Sequence, residues 1–201
     1  MIRIVFFLFS LFIFSCSEEN DIESSGPPPF GSPDSLDIIT WNIENFPKAE
    51  STLDYISSFI LDLEVDIVVL QEIVSTEDFN ALIHLLGDEW VGYYAEDSDN
   101  QTLSYLINLS NIQITDTPFT ILDDYAHYFA YRPPYVLQIS FNNKEYTLID
   151  VHFKCCGDGD LDEGEYWDEE YRRLQASRYL KEYVDFHFTE DNVIILGDFN
   201  D

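Results

Sequence analysis

The stretch Asp66-Ile67-Val68-Val69-Leu70-Gln71-Glu72-Ile73 is an apolar, β-branched run that ends in two polar residues and one more isoleucine. A short continuous apolar run of this kind is typical of a strand that is buried on both faces. Residues 36–43 form a second such run, and residues 51–63 between the two place apolar side chains at helical spacing. The three segments predict a strand–helix–strand unit with parallel strands and a right-handed crossover.

The remainder of the chain continues with strand-like and helix-like segments. Residues 76–87 predict a helix with Thr76 as its N-cap, and residues 165–187 predict a long amphipathic helix. Further strands are predicted at residues 90–95, 103–109, 112–122, 135–142, 146–153 and 192–197, with a hairpin turn at Asn142-Asn143-Lys144. This order favours an α/β fold of two packed sheets with helices outside over a single doubly wound parallel sheet.

The N-terminal region differs from the rest of the chain. Arg3 precedes an apolar run at residues 4–14 that is too short to span a bilayer. We interpret residues 1–15 as a secretory signal, and the small residue before Cys16 resembles the lipobox of bacterial lipoproteins, in which the cysteine is lipidated. An ordinary signal peptide with a chance cysteine is the alternative, and it would export the protein equally.

Residues 16–35 are acidic and then proline-rich, so they cannot bury apolar surface. We expect them to be a tether between a lipid on Cys16 and a folded domain at residues 36–201. This organisation predicts an extracytoplasmic protein anchored to a bacterial membrane, with the outer membrane or cell surface favoured. Nothing in the sequence indicates a protein partner.

The charge of the chain restricts how it can meet a substrate. It carries 39 acidic and 9 basic residues, a net charge of −30. Such a surface repels polyanions, which excludes recognition of nucleic acid or anionic lipid through a basic patch. A phosphate-bearing substrate would have to be met by divalent cations and a few well-placed side chains. Solubility in a salty medium explains the charge equally well.

Four polar segments lie where predicted strands end. They are Thr40-Trp41-Asn42-Ile43-Glu44-Asn45, Leu70-Gln71-Glu72-Ile73, Asp150-Val151-His152-Phe153 and Gly197-Asp198-Phe199-Asn200-Asp201. Taken singly, each contains residue types that also cap helices or shape turns. Asn42 and Glu72, however, follow the two strands of one crossover unit, so both can project from the same edge of the sheet.

Together and in this order, the four segments resemble the family of DNase I, the apurinic/apyrimidinic endonucleases, neutral sphingomyelinases and inositol-polyphosphate phosphatases, over about residues 36–201. Arg132-Pro133-Pro134 before a strand is a fifth match. The resemblance implies a DNase I-like four-layer α-β-β-α sandwich of two mixed sheets. Family members continue to a Ser-Asp-His or similar segment, so we expect this chain to stop before the last strands and the second half of the site.

The resemblance also implies a role for each matched residue. Asn42 and Glu72 would hold Mg²⁺ or Mn²⁺, because hard cations prefer oxygen ligands and Mg²⁺ takes few protein ligands. Asp198 would orient or deprotonate the attacking water, and Asn200 would position it or bind a phosphate oxygen.

His152 would donate to a phosphate oxygen, and it could share proton transfer if its pKa is suitable. Arg132 has the forked geometry that binds phosphate. An arginine beside a tyrosine and two prolines could instead be a stacked structural residue.

Two further features lie after residue 153. Cys155 and Cys156 are adjacent, and a strained vicinal disulfide, two free thiols and pairing with another chain all remain open. Asp158, Asp160 and Asp162 alternate, with Glu169 at the twelfth position of an EF-hand-like loop, so a structural calcium site is an alternative to a solvated acidic loop. No spacing indicates a zinc site.

These observations favour a divalent-metal-dependent phosphoester hydrolase, with nucleic acid as the preferred substrate class. A lipid or inositol phosphate is the alternative substrate. A catalytically inactive binding module of the same fold is the alternative from another functional class. Hydrolysis that appears only with added Mg²⁺ or Mn²⁺ would separate the enzyme from the binding module.

Overall fold

The computed structural model describes residues 29–32, 34–49, 51–96, 101–189 and 192–200. The predicted signal segment, Cys16 and most of the tether lie outside these ranges. None of the helices in these ranges combines the length and the hydropathy of a membrane-spanning helix.

The first half of the described chain forms one sheet with two helices. Its elements are β1 (Ile38–Phe46), α1 (Ser51–Leu63), β2 (Ile67–Ile73), α2 (Thr76–Leu86), β3 (Trp90–Tyr94) and β4 (Thr102–Asn108). The strand order is β1-β2-β4-β3, with β1 parallel to β2 and the other two pairs antiparallel. The strand–helix–strand unit predicted around residues 66–73 is therefore confirmed.

The second half forms a second mixed sheet. Its elements are β5 (Gln113–Ile114), β6 (Phe119–Thr120), β7 (Tyr135–Phe141), β8 (Lys144–His152), α3 (Glu169–His187) and β9 (Val193–Asp198). The strand order is β5-β7-β8-β9, and β6 also pairs with β7. Strands β7 and β8 form the predicted hairpin, in which Asn142 and Asn143 both have positive φ, as a tight hairpin turn requires. Strand β9 is parallel to β8.

Three apolar clusters separate the layers. Residues of α1 and α2, including Ile60 and Phe79, pack on one face of the first sheet. The facing sides of the two sheets share a second cluster, and Ala176 and Leu180 of α3 pack against the outer face of the second sheet. Burying a large apolar side chain contributes about 1.5–3 kcal/mol, so these clusters hold the layers together. The predicted four-layer α-β-β-α sandwich is confirmed.

Three local predictions differ from the structure. Residues 112–122 form two short strands instead of one, because Pro118 lacks the N–H that a continuous ladder needs. The N-cap of α2 is Ser75, whose hydroxyl accepts from the Asp78 N–H at 3.1 Å, and not Thr76. Helix α3 begins at Glu169, four residues later than predicted, because the Asp168 side chain caps it by accepting from the Tyr171 N–H at 2.6 Å.

Candidate active site

The polar residues predicted from the strand ends meet at one edge of the molecule. The parallel pairs β1–β2 and β8–β9 belong to facing sheets, and their carboxyl ends lie side by side there. The β1–β2 register breaks between Asn42 and Phe46, and Glu44, Asn45 and Glu72 have φ values of 45°, 54° and 67°. Left-handed backbone at residues other than glycine costs free energy and clusters at functional sites.

Asn42 joins the carboxylates of the two sheets. Its Nδ2 donates to Glu72 Oε1 at 3.0 Å and to Asp198 Oδ2 at 2.8 Å. Its Oδ1 accepts from the Glu44 backbone N–H at 2.9 Å, which turns the amide nitrogen toward the carboxylates. In this conformation the amide oxygen is engaged by Glu44, so the direct binding of a metal by Asn42 stays a prediction.

The Glu72 carboxylate is held from several sides. Besides Asn42, its Oε2 accepts from the Asn45 backbone N–H at 3.0 Å and from Gln101 Nε2 at 3.1 Å. Each charge-assisted hydrogen bond narrows the positions that the carboxylate can take. Glu72 therefore presents a carboxylate in a fixed position at the mouth of the site, and its binding of a metal stays a prediction.

Gln101 is a site residue that the sequence reasoning missed. It lies just before β4, and it donates to Glu72 and, at 2.8 Å, to Asn45 Oδ1. Its own Oε1 accepts from Arg132 Nη1 at 2.8 Å. Gln101 therefore links Arg132 to Glu72. No sequence signal marks it, because neither neighbour in the chain belongs to one of the four motifs.

Arg132 lies beneath the site surface with only 8% of its area exposed. Its Nε and Nη2 donate to the backbone oxygens of His152 and Phe153 at 3.4 and 3.2 Å. Burial lowers the pKa of this guanidinium, and the nearby Glu72 carboxylate counteracts that effect. The arginine thus braces the end of β8 and places positive charge close to the site. Its contact with phosphate stays a prediction.

His152 is 3% exposed and lies between the two carboxylates. Its Nε2 is 3.9 Å from Glu72 Oε1 and 3.8 Å from Asp198 Oδ2. Both carboxylates favour the imidazolium, but they are too distant for hydrogen bonds. Burial, with a smaller contribution from Arg132, prevails and lowers the pKa of His152 to about 4. His152 is therefore neutral near pH 7, and a neutral imidazole can donate one hydrogen bond.

Asp198 and Asn200 form a compact turn at the end of β9. The Asn200 backbone N–H donates to Asp198 Oδ1 at 3.0 Å, and Asn200 Nδ2 donates to the Phe153 carbonyl oxygen at 3.0 Å. Gly197 precedes them with φ 131°, and a Cβ there would lie 2.0 Å from the Val151 carbonyl oxygen. Only glycine lets β9 approach β8 this closely.

A buried polar pair, Gln71 and Asp150, lies in the interior directly beneath the site. Gln71 Nε2 donates to Asp150 Oδ1 at 2.8 Å and to Thr40 Oγ1 at 3.2 Å, and the Gln71 and Asp150 side chains are fully buried. Burial raises the pKa of Asp150 well above its ordinary value. Gln71 Oε1 and Asp150 Oδ2 have no hydrogen-bond partner among the described residues. A proton on Asp150 would supply the donor that this pair lacks.

The donor set at the site fits a sparsely ligated hard cation. Asn42 holds the Glu72 and Asp198 carboxylates on one nitrogen, which keeps two acidic oxygens close together. Over the part of the chain that the structure describes, no group of three or more His, Cys, Asp or Glu residues could hold a metal ion. Two carboxylates suit Mg²⁺, which usually keeps several of its waters, better than a metal that needs a full protein cage.

The acidic loop after β8 is not folded as an EF-hand. Asp158 Oδ1 accepts from the Asp160 N–H at 3.0 Å, and Asp162 Oδ1 accepts from the Gly164 N–H at 2.9 Å. Glu169, the predicted twelfth position, begins α3 and lies 3.8 Å from Lys154 Nζ. In this conformation these carboxylates serve local turns and an ion pair. A calcium site at this loop, the alternative that their spacing suggests, stays a prediction.

The fold and this site define a class: four-layer α/β proteins with a carboxylate, amide and imidazole cluster where two parallel strand pairs meet. A family model described as the endonuclease/exonuclease/phosphatase family matches residues 39–201. The chain belongs to this family, whose members are typically phosphoester hydrolases and generally use divalent metals. No protein of curated function matches the chain in sequence.

Solved structures share the fold at low sequence identity. D. rerio TDP2 complexed with a single-strand DNA product aligns with a TM-score of 0.66 and 17% identity over 82% of this chain and 60% of that one. An endonuclease/exonuclease/phosphatase family protein from Bacteroides thetaiotaomicron aligns with a TM-score of 0.59 and 12% identity over 82% of this chain and 63% of that one. For the human Nocturnin catalytic domain with bound sulfate, the TM-score is 0.57 and the identity 15%, over 83% of this chain and 64% of that one. This chain spans less than two thirds of the length of each.

Proposed function

We propose that this protein is a divalent-metal-dependent phosphoester hydrolase that acts on nucleic acid. The observation that carries the proposal is the meeting of two carboxylates with one imidazole. His152 Nε2 lies within 4 Å of both Glu72 Oε1 and Asp198 Oδ2, and Asn42 bridges the same two oxygens. Phosphoester hydrolysis needs a cation ligand, a group that orients water and a hydrogen-bond donor, and these residues supply all three.

Glu72 would hold Mg²⁺ or Mn²⁺, with Asn42 and Gln101 fixing its carboxylate. When bound, the cation would stabilise negative charge on the phosphoryl and leaving oxygens. Fixing the ligand before substrate arrives avoids reorganisation during the reaction, which is the main advantage of a preorganised site.

Asp198 is suited to orient the attacking water. One of its oxygens accepts from Asn42 and the other from the Asn200 backbone N–H, so both face known donors. His152, which is neutral, would donate its N–H to a phosphate oxygen. Asn200 keeps the β9 turn against the Phe153 carbonyl, and Arg132 contributes fixed positive charge from below.

Nucleic acid is the substrate class that we favour. The single-strand DNA product in the D. rerio TDP2 complex and the sulfate bound to Nocturnin, an anion with the tetrahedral shape of phosphate, support a phosphodiester at this site. The net charge of −30 opposes binding of long polyanions, so the cation and a few polar side chains would have to hold the substrate.

The test compares three substrates with and without Mg²⁺ or Mn²⁺: a labelled single-stranded oligonucleotide, sphingomyelin vesicles and an inositol polyphosphate. We expect cation-dependent cleavage of the oligonucleotide alone. Cleavage of the lipid or the inositol phosphate with an intact oligonucleotide would overturn the substrate assignment. No hydrolysis of any of the three, with the cation bound, would favour the inactive binding module.

We also propose that the enzyme works outside the cytoplasm, anchored through a lipid on Cys16. The support is the apolar run at residues 4–14 followed by Ser15 and Cys16. Expression in a bacterium fed a labelled fatty acid tests this proposal. Label should enter the protein and be absent from the Cys16→Ser variant, whereas equal labelling of both would refute the anchor.

A further inference from the structure

Two adjacent thiols follow β8 at the edge of the candidate site. The Cys156 thiol donates to Cys155 Sγ at 2.9 Å; Cys155 is half-buried and Cys156 is exposed. Lys154 Nζ lies 3.8 Å from Cys155 Sγ and donates to the Cys155 carbonyl at 2.9 Å. Cys156 adopts φ 73°, a left-handed conformation that costs free energy for a residue with a Cβ.

We propose that Cys155 and Cys156 form a thiol–disulfide exchange site that closes to a vicinal disulfide on reaction with an external disulfide. Geometry assigns the two roles. Cys155 accepts the hydrogen bond from its neighbour and lies beside an ammonium group, so it is the attacking sulfur. Cys156 is solvent-exposed and in contact with Cys155, so it is the resolving sulfur.

The electrostatic surroundings agree with this assignment. The hydrogen bond from Cys156 is the largest cause that lowers the pKa of Cys155, and Lys154 and Arg132 lower it further. The pKa of Cys156 is raised, chiefly by the same hydrogen bond. The thiolate is the reactive form of cysteine, and cationic neighbours favour it.

The reaction balances without any other reagent. The Cys155 thiolate attacks one sulfur of a small-molecule disulfide, forming a mixed disulfide and releasing one thiolate. The Cys156 sulfur then loses its proton and attacks Cys155 Sγ, which releases the second thiolate. The two protein sulfurs are oxidised to one disulfide, and the external disulfide is reduced to two thiols.

The Cys155–Cys156 disulfide should be easily reduced again, unlike a permanent structural disulfide. Neighbouring Cα atoms are about 3.8 Å apart across a trans peptide, whereas disulfides usually join Cα atoms about 4.4–6.8 Å apart. A disulfide forced into this shorter span is strained, and strained disulfides are the more easily reduced ones. Its state therefore follows the redox conditions around the protein.

The thiols are close enough to the site to affect it. The Phe153 carbonyl, two residues before Cys155, accepts from Arg132 Nη2 and from Asn200 Nδ2. Arg173 Nη1 donates at 2.9 Å to the carbonyls of Lys154 and Cys156 on either side of Cys155. Ring closure must change the backbone between these anchors, so it should disturb the position of Arg132 or Asn200.

The first test uses the full chain with Cys16→Ser, which leaves this pair as its only cysteines. After treatment with oxidised glutathione, we expect mass spectra of the denatured protein to show the loss of two hydrogens and no bound glutathione. The further substitution Cys156→Ser should leave one glutathione attached to Cys155. The further substitution Cys155→Ser should leave one glutathione on Cys156, formed more slowly. If the chain that keeps both Cys155 and Cys156 instead formed stable glutathione adducts or disulfide-linked dimers, the proposal would be overturned. This outcome does not depend on whether the protein hydrolyses phosphoesters.

A second measurement, which rests on the proposed function, tests whether the Cys155–Cys156 disulfide alters activity at the candidate active site. We expect oxidation to lower hydrolysis of bis(p-nitrophenyl) phosphate by about tenfold, since small misplacements in a site cost this much or more. Dithiothreitol should restore the rate, and a Cys155→Ser/Cys156→Ser control should not respond to oxidant. Ring closure with an unchanged rate would overturn the link through Phe153.

Discussion

The side-chain nitrogen of Asn42 lies 2.8 Å from Asp198 Oδ2, although 156 positions separate the two residues in the chain. Asn42 belongs to β1 of the first sheet and Asp198 ends β9 of the second, so this hydrogen bond crosses the sandwich. The same nitrogen lies 3.0 Å from Glu72 Oε1. Asn42 therefore sets the separation of the two carboxylates that the proposed chemistry uses.

Replacing Asn42 by alanine should lower the catalytic rate strongly and the free energy of unfolding only slightly. Without the amide, the two carboxylates lose the donor that they share and keep only their separate hydrogen bonds, so their repulsion should move them apart and we expect kcat to fall about 100-fold. Asn192→Ala is a matched control, because the Asn192 side chain donates to the Glu145 carbonyl just before the start of β9 and away from the site. Equal kcat values for the two variants, measured at saturating cation, would refute this role of Asn42.

Gln101 and Arg132 should behave as one unit. Arg132 Nη1 donates to Gln101 Oε1, and Gln101 Nε2 donates to Glu72 Oε2. Arg132 therefore helps to fix the Glu72 carboxylate through Gln101. We expect Gln101→Met and Arg132→Met each to raise the cation concentration needed for half-maximal activity. Because they share one network, the double variant should be less impaired than the sum of the single effects. Additive effects in this double-mutant cycle would mean that Gln101 does not transmit the influence of Arg132.

Asp150 should give the protein a recognisable pH dependence of stability. Burial raises its pKa in the folded state, so above pH about 4 the folded chain keeps a proton that the unfolded chain releases. The stability that this proton contributes is complete below that pH and declines as pH rises toward the folded pKa. Asp150→Asn, whose amide can donate without titrating, should lack this decline.

Urea unfolding at several pH values measures the effect. The free energy of unfolding of Asp150→Asn, relative to the unmodified chain, should increase by about 1.4 kcal/mol per pH unit above pH about 4. Asp116→Asn is the control, because Asp116 lies in an exposed loop and bonds only the next N–H in the described structure. A pH-independent difference for Asp150→Asn would show that Asp150 is ionised in the folded protein.

Much of the fold and the meeting of the site residues could be predicted from local patterns. The apolar runs around Asn42 and Glu72 with a helix between them require parallel strands, and parallel strands end at the same edge. The hairpin turn at Asn142 and Asn143 followed from the tolerance of asparagine for positive φ. The meeting of His152 and Asp198 was implied by the family resemblance, and the parallel register of β8 and β9 pairs these two residues.

Other features depend on contacts that no local pattern contains. Gln101 joins the site only because β4 lies antiparallel beside β2, which brings the start of β4 to the end of β2. The neutral state of His152 results from burial between two sheets, and its sequence context does not reveal that burial. Helix α3 starts later than its composition predicts, because residues 165–168 share that composition but form turns ahead of the Asp168 cap.

The central claim is that Glu72 binds a divalent cation that phosphoester hydrolysis requires. The most direct measurement is the rate of bis(p-nitrophenyl) phosphate hydrolysis against Mg²⁺ concentration for the unmodified chain, Glu72→Gln and the control Glu89→Gln, which changes an exposed glutamate. We predict no hydrolysis without the cation, and a rate about 100- to 1000-fold lower for Glu72→Gln only. Hydrolysis in excess chelator, or equal rates for Glu72→Gln and Glu89→Gln, would contradict the claim.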